Sequence, residues 1–177
     1  AQRFVAHAFL APNYGLFPGV DLRFEGVENV PDEPVLFAMN HTDKYNYWPF
    51  QYRWYREHNR FTATWVKGKN YENRWMAAFL EHTNNIPAIS RGYLIVRDFL
   101  GVTGTRPSDA QYAALRGWLQ DEQKVPDANL PPALLQQPRN ILGRAFDPDV
   151  ESYPQYIRGL LGEMMACFLQ LNDQAAE

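Results

Sequence analysis

The chain has 177 residues, of which 46% are hydrophobic and 21% charged, and its formal net charge is −3. This length and composition predict one globular domain and argue against a disordered or collagen-like chain. Because the chain carries no overall excess of positive charge, we do not expect nucleic acid as its main partner. The sequence also lacks an apolar run long enough for a transmembrane helix.

Residues 1–19 are predicted to form an N-terminal arm. The arm is aromatic and contains no acidic residue. Pro12 and Pro18 are expected to limit any helix to about the first dozen residues, because proline interrupts helical hydrogen bonding. The arm is either an amphipathic element at a membrane interface or a segment that packs on the domain.

Two strands and a helix are predicted around a polar cluster at residues 40–46. Residues 20–29 alternate between apolar and polar, which is typical of a half-buried strand. Residues 35–39, "VLFAM", form a continuous apolar run, which predicts a central strand covered on both faces. Aromatic residues at three- and four-residue steps then predict a helix over 44–58. The polar cluster is therefore expected where a buried strand ends and a helix begins.

The next segments repeat the strand and helix alternation. Residues 61–68, "FTATWVKG", read as a buried strand, and residues 71–83 as a helix with an apolar face. Residues 84–90, "NNIPAIS", predict a third short strand. Strands and helices at this spacing predict an α/β fold in which helices flank a mixed central sheet.

The C-terminal half is predicted to be mainly helical. Ser108 and Gln111 form a capping-box pattern before a helical run. Residues 121–137 are expected to be a proline-rich loop region with one short helix, and residues 139–146 a last strand. The single cysteine, Cys167, is expected in the core. An amphipathic helix is predicted from the apolar stripe of Ile157, Leu160, Leu161, Met164, Met165, Phe168 and Leu169.

His41 is the residue of the polar cluster best suited to acid–base chemistry. Strand-to-helix junctions are where open α/β sheets bind ligands, and an imidazole there can take a proton from a substrate hydroxyl. Its other ring nitrogen needs an orienting partner, which is either Asn46 or Asp43. Asp43 is the poorer partner on a regular helix, and it or Thr42 is also suited to cap that helix. The alternative is that His41 is a capping or core histidine.

The segment "FEGVENVPDEPVLFAMNHTDKYN" resembles the start of the glycerolipid acyltransferase family, of the lysophosphatidate acyltransferase type. That family shows V-x-G-x-E-N-I-P, an apolar strand and then N-H-x-x-x-x-D. The matching positions are Gly26, Glu28, Asn29, Val30, Pro31, Asn40 and His41. The resemblance continues through "WVKGKNYENRWMAAFLEHTNNIPAISR" and covers residues 24–91 well.

This resemblance implies a single acyltransferase-like domain over residues 1–177. It makes His41 the general base and places Arg91, Lys67 and Asn40 in the substrate-binding site, with Arg91 on a phosphate. The implied donor is acyl-CoA or acyl carrier protein, and the implied acceptor is the hydroxyl of a lysophospholipid or glycerol-phosphate-like molecule. No metal or cofactor is implied. The expected location is the cytoplasmic face of a membrane, where such a protein takes part in phospholipid biosynthesis.

Two features depart from the family pattern. Asn46 stands where the family has an aspartate, so it lacks the negative charge that stabilises an imidazolium. The family's E-G-T-R segment is also missing from its usual place, although "GTR" occurs at residues 104–106 after Thr103. We interpret that tripeptide as a loop rather than a displaced motif. These departures leave open an alternative, a non-catalytic relative that binds a lipid or a protein partner.

Overall fold

The computed structural model describes residues 2–16, 23–40, 47–123, 126 and 129–176. The α-helices are α1 (Gln2–Val5), α2 (Tyr47–His58), α3 (Arg74–His82), α4 (Arg91–Thr103), α5 (Asp109–Gln120), α6 (Pro132–Gln136) and α7 (Tyr153–Ala176). The strands are β1 (Thr64–Lys67), β2 (Asn85–Ala88), β3 (Arg139–Ile141) and β4 (Arg144–Phe146). Shorter helical turns follow α1 at Ala6–Leu10 and Pro12–Leu16, and 3₁₀ turns occupy Val27–Asn29 and Gly68–Tyr71.

The fold is mixed α/β, but the predicted single central sheet is not seen in the described residues. The four strands form two separate two-stranded sheets. β1 and β2 are parallel, whereas β3 and β4 are antiparallel. Most of the backbone hydrogen bonding is helical instead, because long amphipathic stripes in the C-terminal half pack helix on helix.

β1, α3 and β2 form one βαβ unit, which confirms the strands predicted at 61–68 and 84–90 and the helix between them. α3 begins where the Asn73 side chain accepts hydrogen bonds from the backbone N–H groups of Trp75 and Met76, at 3.0 and 3.2 Å. Leu80 is the buried residue of α3. The unit therefore brings the carboxyl ends of its two strands to one edge.

The strand predicted at residues 35–39 is wrong. This segment has no regular secondary structure, and Leu36 and Met39 are exposed. A strand needs a neighbour for its N–H and C=O groups, and none of the described strands lies beside it. Phe37 packs instead against the rings of Phe50 and Trp54 on α2, each 5.0 Å away between centroids. Aromatic packing on a helix, rather than pairing in a sheet, holds this segment.

The strand predicted at residues 20–29 is also wrong over its described part, 23–29. Gly26 adopts a left-handed conformation, with φ of 78°, and a 3₁₀ turn follows at Val27–Asn29. A left-handed residue followed by a tight turn reverses the chain, so the alternating pattern cannot continue as one extended strand.

The N-terminal arm is helical beyond the limit that Pro12 predicted. Helical turns run from Gln2 to Leu16, and those at Ala6–Leu10 and Pro12–Leu16 are wider than α-helical turns. Wide turns shift the hydrogen-bonding pattern, which accommodates a proline that has no N–H to donate. Ala6 and Leu10 are buried, and the Gln2 side chain donates to the Thr83 carbonyl at 2.9 Å. The arm therefore packs on the end of α3.

The main core lies in the C-terminal half, where α4, α5, α6, β4 and α7 meet. α4 was not predicted from the sequence, yet it supplies Leu94, Ile95 and Phe99 to this core. Its partners are Leu115, Leu119, Leu134, Phe146, Tyr153, Tyr156, Ile157 and Leu160. Burial of these large side chains supplies most of the hydrophobic stabilisation that the described residues show.

A buried ion pair sits inside this core. Asp98 is fully buried, and both of its carboxylate oxygens accept hydrogen bonds from the Arg139 guanidinium at 2.7 Å. Arg139 also donates to the Leu134 and Gln137 carbonyls and stacks on Phe146, 4.4 Å from the ring centroid. The bidentate geometry and the extra acceptors satisfy the buried charges.

The segments around α5 follow the sequence closely. The capping box is confirmed, because Ser108 accepts from the backbone of Gln111 while the Gln111 side chain accepts from the backbone of Ser108. The short helix expected within 121–137 is α6, although residues 124, 125, 127 and 128 lie outside the described residues. Residues 104–106 form a loop, as interpreted, since Gly104 ends α4 in a left-handed conformation.

The last predicted strand, 139–146, is a hairpin of β3 and β4 instead. Leu142 and Gly143 both have positive φ, 49° and 90°, which turns the chain back with the twist that hairpins favour. A leucine rarely adopts this conformation, so the residue type at position 142 does not indicate a turn. The hairpin carries Arg139 into the core beside Asp98.

α7 confirms the predicted C-terminal helix, but only its first half is buried. Ile157 and Leu160 are fully enclosed, whereas Met165 and Leu169 are exposed. Cys167 is exposed too, so the prediction that it fills the core is wrong. The helix extends beyond the elements that pack on its first turns. The later residues of its apolar stripe are therefore only partly covered by other side chains.

Candidate functional site

The carboxyl edge of the β1 and β2 sheet holds two of the predicted site residues. The register pairs Lys67, the last residue of β1, with Ala88, the last residue of β2. Lys67 is exposed at this edge, and Arg91 begins α4 three residues after Ala88. Lys67 therefore ends one of the paired parallel strands and Arg91 follows the other, at the edge where α/β units bind ligands.

The start of α4 adds an electropositive element to this edge. Ser90 caps the helix by accepting a hydrogen bond from the Tyr93 backbone N–H at 3.2 Å. The unpaired N–H groups of the first turn and the helix dipole favour an anion here. Among the described residues, neither Arg91 nor Lys67 forms a side-chain hydrogen bond or an ion pair. Both cations thus remain available to an anionic ligand.

The backbone at this edge is closely packed. Gly68 directly follows Lys67 and is buried against Ile89, the residue between β2 and the Ser90 cap. A Cβ at Gly68 would come within 2.2 Å of the Ile89 Cδ1 atom, so a larger residue there would require the Ile89 side chain to move. Close packing fixes the turn after β1 against the turn that leads into α4.

One carboxylate that was not predicted from the sequence also lies at this edge. Burial raises the pKa of the Tyr93 hydroxyl, and the negative charge of Glu72 raises it further, while Arg97 opposes the shift. Glu72 therefore lies near Tyr93 on the first turn of α4. Its negative charge opposes part of the positive charge at this edge.

His41, Asp43 and Asn46 lie outside the described residues, together with the rest of segment 41–46. The described chain stops at Asn40, which is exposed, and resumes at Tyr47, the first residue of α2. The role of His41 as a base and its nearness to Arg91 therefore stay predictions.

An aromatic cluster lies on both sides of that segment. Phe37 precedes it and packs on Phe50 and Trp54, which follow it on α2. Phe24 contacts Phe50 with ring centroids 5.7 Å apart, and the His58 ring lies 4.1 Å from Trp54. The cluster ties the chain before the predicted motif to the helix after it. Sequence reasoning had assigned the first part of this packing to a strand.

An open groove of about 470 Å³ adjoins the same edge. It begins in the turn Gly68–Tyr71, directly after Lys67, and continues along one face of α3. Its lining residues are Lys69, Asn70, Asn73, Trp75, Met76 and Phe79. A second, smaller cavity of about 50 Å³ lies between the N-terminal arm, α2 and α3, and Phe79 lines both. The apolar face predicted for residues 71–83 is the one signal in the sequence that could have indicated the groove.

Two further properties bear on the kind of site. Within the part of the chain that the structure describes, no helix is long and apolar enough to cross a membrane. No three His, Cys, Asp or Glu residues in that part are grouped so that they could hold a metal ion. The arrangement that remains is a cationic strand edge beside an exposed aromatic groove.

Comparison with known proteins adds no relative to this picture. No family model, curated protein or solved structure matches the chain.

Proposed function

We propose that the chain transfers an acyl group from the thioester of acyl-CoA or acyl carrier protein to a hydroxyl of a lysophospholipid or glycerol-phosphate-like acceptor. One observation carries this proposal. The ordered motif that ends in Asn40 and His41 is followed by Lys67 and Arg91, and these two cations lie at the carboxyl ends of paired parallel strands. A single histidine would support no reaction class, whereas this order of residues supports acyl transfer to a phosphate-bearing alcohol.

His41 acts as the general base in the proposed reaction. It accepts the proton of the acceptor hydroxyl while that oxygen attacks the thioester carbonyl carbon, which forms a tetrahedral intermediate. The intermediate collapses, the carbon–sulfur bond breaks, and the leaving thiolate takes the proton back from the imidazolium. The products are the acylated acceptor and a free thiol, so the step needs no metal and no redox partner.

Arg91 and Lys67 hold the phosphate of the acceptor. A guanidinium presents paired N–H donors that match phosphate oxygens, and Lys67 supplies a second positive charge. The first turn of α4 adds its backbone N–H groups to this anion site. Asn40 contributes an amide beside His41. The acceptor would thus be oriented with its hydroxyl towards the base, which accelerates transfer by positioning.

Asn46 is expected to make acyl transfer slower than an aspartate at this position would. Its amide oxygen can accept a hydrogen bond from His41 and hold the ring, but it carries no charge to stabilise the imidazolium. Asp43 is the other candidate for that partner. A slow enzyme is the outcome we propose. The same substitution favours the second candidate, a non-catalytic relative that binds a lipid or a protein partner.

The test is acyl transfer by the purified chain. Acyl-CoA or acyl carrier protein is mixed with lysophosphatidate, glycerol phosphate or an amino alcohol, and both free thiol and acylated product are measured. We expect His41→Ala to slow transfer by about 10²- to 10⁴-fold, the usual contribution of a general base. We expect Asn46→Asp to raise the rate.

His82→Ala is the matched control, because His82 is an exposed histidine at the end of α3. It should transfer at the wild-type rate. If neither the wild-type chain nor Asn46→Asp transfers an acyl group to any acceptor, the enzyme assignment fails and the non-catalytic alternative is favoured.

A further inference from the structure

The exposed face of α3 is an apolar open surface next to the candidate site. Trp75 is 77% exposed, and Met76 and Phe79 are about half exposed. A tryptophan this exposed is unusual, since burying its ring removes a large apolar area from water. These three side chains line the groove that begins directly after Lys67. The face is therefore placed to contact something outside the chain.

The charges around this face select the kind of partner. Lys69 is the charged residue of the groove lining, whose other polar members are Asn70 and Asn73. Arg74 lies over the Trp75 ring, 5.2 Å from its centroid, so a second cation accompanies the indole. None of the described residues that line the groove is acidic.

Two acidic residues of this stretch, Glu72 and Glu81, are not among the residues that line the groove. Glu72 acts on Tyr93 at the start of α4, and Glu81 acts on Tyr71. An amphipathic aromatic ring accompanied by Lys69 and Arg74, in a groove whose lining has no acidic residue, complements the headgroup layer of an anionic membrane.

We propose that this face, formed by Arg74, Trp75, Met76 and Phe79 of α3 together with Lys69 of the preceding turn, docks the protein on an anionic lipid surface. Trp75 and Met76 enter the boundary between headgroups and acyl chains, while Lys69 and Arg74 contact lipid phosphates. The biological role of this docking rests on the proposed function, acyl transfer to a lipid acceptor. Docking here brings the Lys67 and Arg91 edge next to the membrane, where a lysophospholipid acceptor is found.

Vesicle flotation with the whole chain tests the docking surface. The vesicles contain phosphatidylcholine alone or phosphatidylcholine with phosphatidylglycerol. We expect the wild-type chain to bind the anionic vesicles and Trp75→Ala to bind them roughly tenfold less, since the loss of the ring removes a large apolar contact. The double variant Lys69→Gln with Arg74→Gln should lose about fivefold per charge on anionic vesicles.

Trp75→Phe separates insertion from a general loss of fold. It keeps an aromatic ring, so most binding should remain, but the blue shift of tryptophan fluorescence on vesicle addition should be largely lost. Val150→Ala and Arg116→Gln are matched controls, because both residues are exposed and lie outside this face. They should bind as the wild-type chain does.

The outcomes distinguish docking from catalysis. Transfer to glycerol phosphate is measured in parallel without vesicles, so an inactive chain that still needs Trp75 for vesicle binding refutes the reaction and supports the docking surface. An active chain whose variants all bind vesicles equally refutes the docking surface alone. Absence of wild-type vesicle binding overturns the proposal, as does a dimer in solution that Trp75→Ala dissociates.

Discussion

The two halves of the chain differ in how far some of their largest aromatic residues are buried. In residues 91–176, here the C-terminal region, Tyr156 is fully buried and Phe146 nearly so. In residues 2–90, here the N-terminal region, Trp75 and Phe4 are mostly exposed. Both regions are rich in large rings, so composition alone does not decide burial. The difference lies in partners, because the C-terminal helices cover one another, whereas the N-terminal elements leave whole faces open.

Ion pairs show the same contrast. Asp98 and Arg139 are enclosed and bidentate, whereas Asp32 and Arg60 in the N-terminal region meet in solvent at 3.1 Å. α7 joins the two regions, since the Trp65 indole N–H donates to the Asn172 side chain at 2.8 Å and packs on Phe168. We infer that the C-terminal region supplies stability and that the N-terminal region supplies the surfaces for ligands.

Breaking the buried ion pair should have the largest effect on stability. Asp98→Ala leaves the Arg139 charge buried without its partner, so we expect the free energy of unfolding to fall by about 3–5 kcal/mol. Urea unfolding followed by circular dichroism measures the change. Asp32→Ala is the control and should leave the unfolding midpoint in place. Replacing Asp98 and Arg139 together by leucine and methionine should cost less than Asp98→Ala alone, and a larger cost would contradict this reasoning.

A leucine-to-alanine substitution made once in each region should show how differently the two regions are packed. Leu94 is fully buried in α4, and Leu36 is 72% exposed before the predicted motif. Leu94→Ala should lower the free energy of unfolding by about 2–5 kcal/mol, since it removes core contacts and leaves a cavity. Leu36→Ala should change it by less than about 0.5 kcal/mol. Equal effects in thermal or urea unfolding would show that the N-terminal region is packed as tightly as the C-terminal one.

Alkaline pH should reveal a smaller effect that arises in the C-terminal core. Burial raises the pKa of Tyr156 to about 12, and the Asp98 carboxylate adds to the rise. In the unfolded chain the hydroxyl ionises near about pH 10, so the unfolded state loses its proton first. The free energy of unfolding should therefore fall as the pH rises from about 10 to about 12.

Tyr156→Phe should weaken this alkaline loss, which urea unfolding at about pH 8 and about pH 11 measures. Phe146→Leu is the control, because it perturbs a neighbouring ring that has no ionisable group. It should destabilise the fold equally at both pH values. A Tyr156→Phe variant with the same pH dependence as the wild-type chain would refute the assignment.

The sequence predicted elements best where local signals and packing agree. The capping box at Ser108, the βαβ unit and α7 all combine a periodic pattern with a recognisable start or end. α4 was not predicted, although Ser90 and Gly104 mark its ends. The charged Asp98 interrupts its apolar stripe, and the burial of this carboxylate is explained only by its ion pair with Arg139. That partner lies 41 residues away, and no local pattern indicates it.

The errors share one physical cause. The run at residues 35–39 is apolar enough for a buried strand, but burial requires a partner that a local pattern cannot reveal. Phe37 packs on the aromatic rings of α2, whereas Leu36 and Met39 are exposed to solvent. For the candidate site, the family resemblance pointed to Lys67 and Arg91, and the parallel register pairs Lys67 with Ala88, three residues before Arg91. The sequence did not predict Glu72 at that edge of the sheet or the exposure of Trp75.

The most direct test of the account compares acceptors with and without a phosphate. We measure kcat/KM of acyl transfer to lysophosphatidate and to a monoacylglycerol for the wild-type chain, His41→Ala and Arg91→Gln. His41→Ala should lose activity towards both acceptors. Arg91→Gln should lose about ten- to hundredfold towards lysophosphatidate only, because it removes a charge-assisted contact with the phosphate. If Arg91→Gln weakens both acceptors equally, or if His41→Ala retains full activity, the imidazole and the guanidinium do not serve one acceptor and the proposed site is wrong.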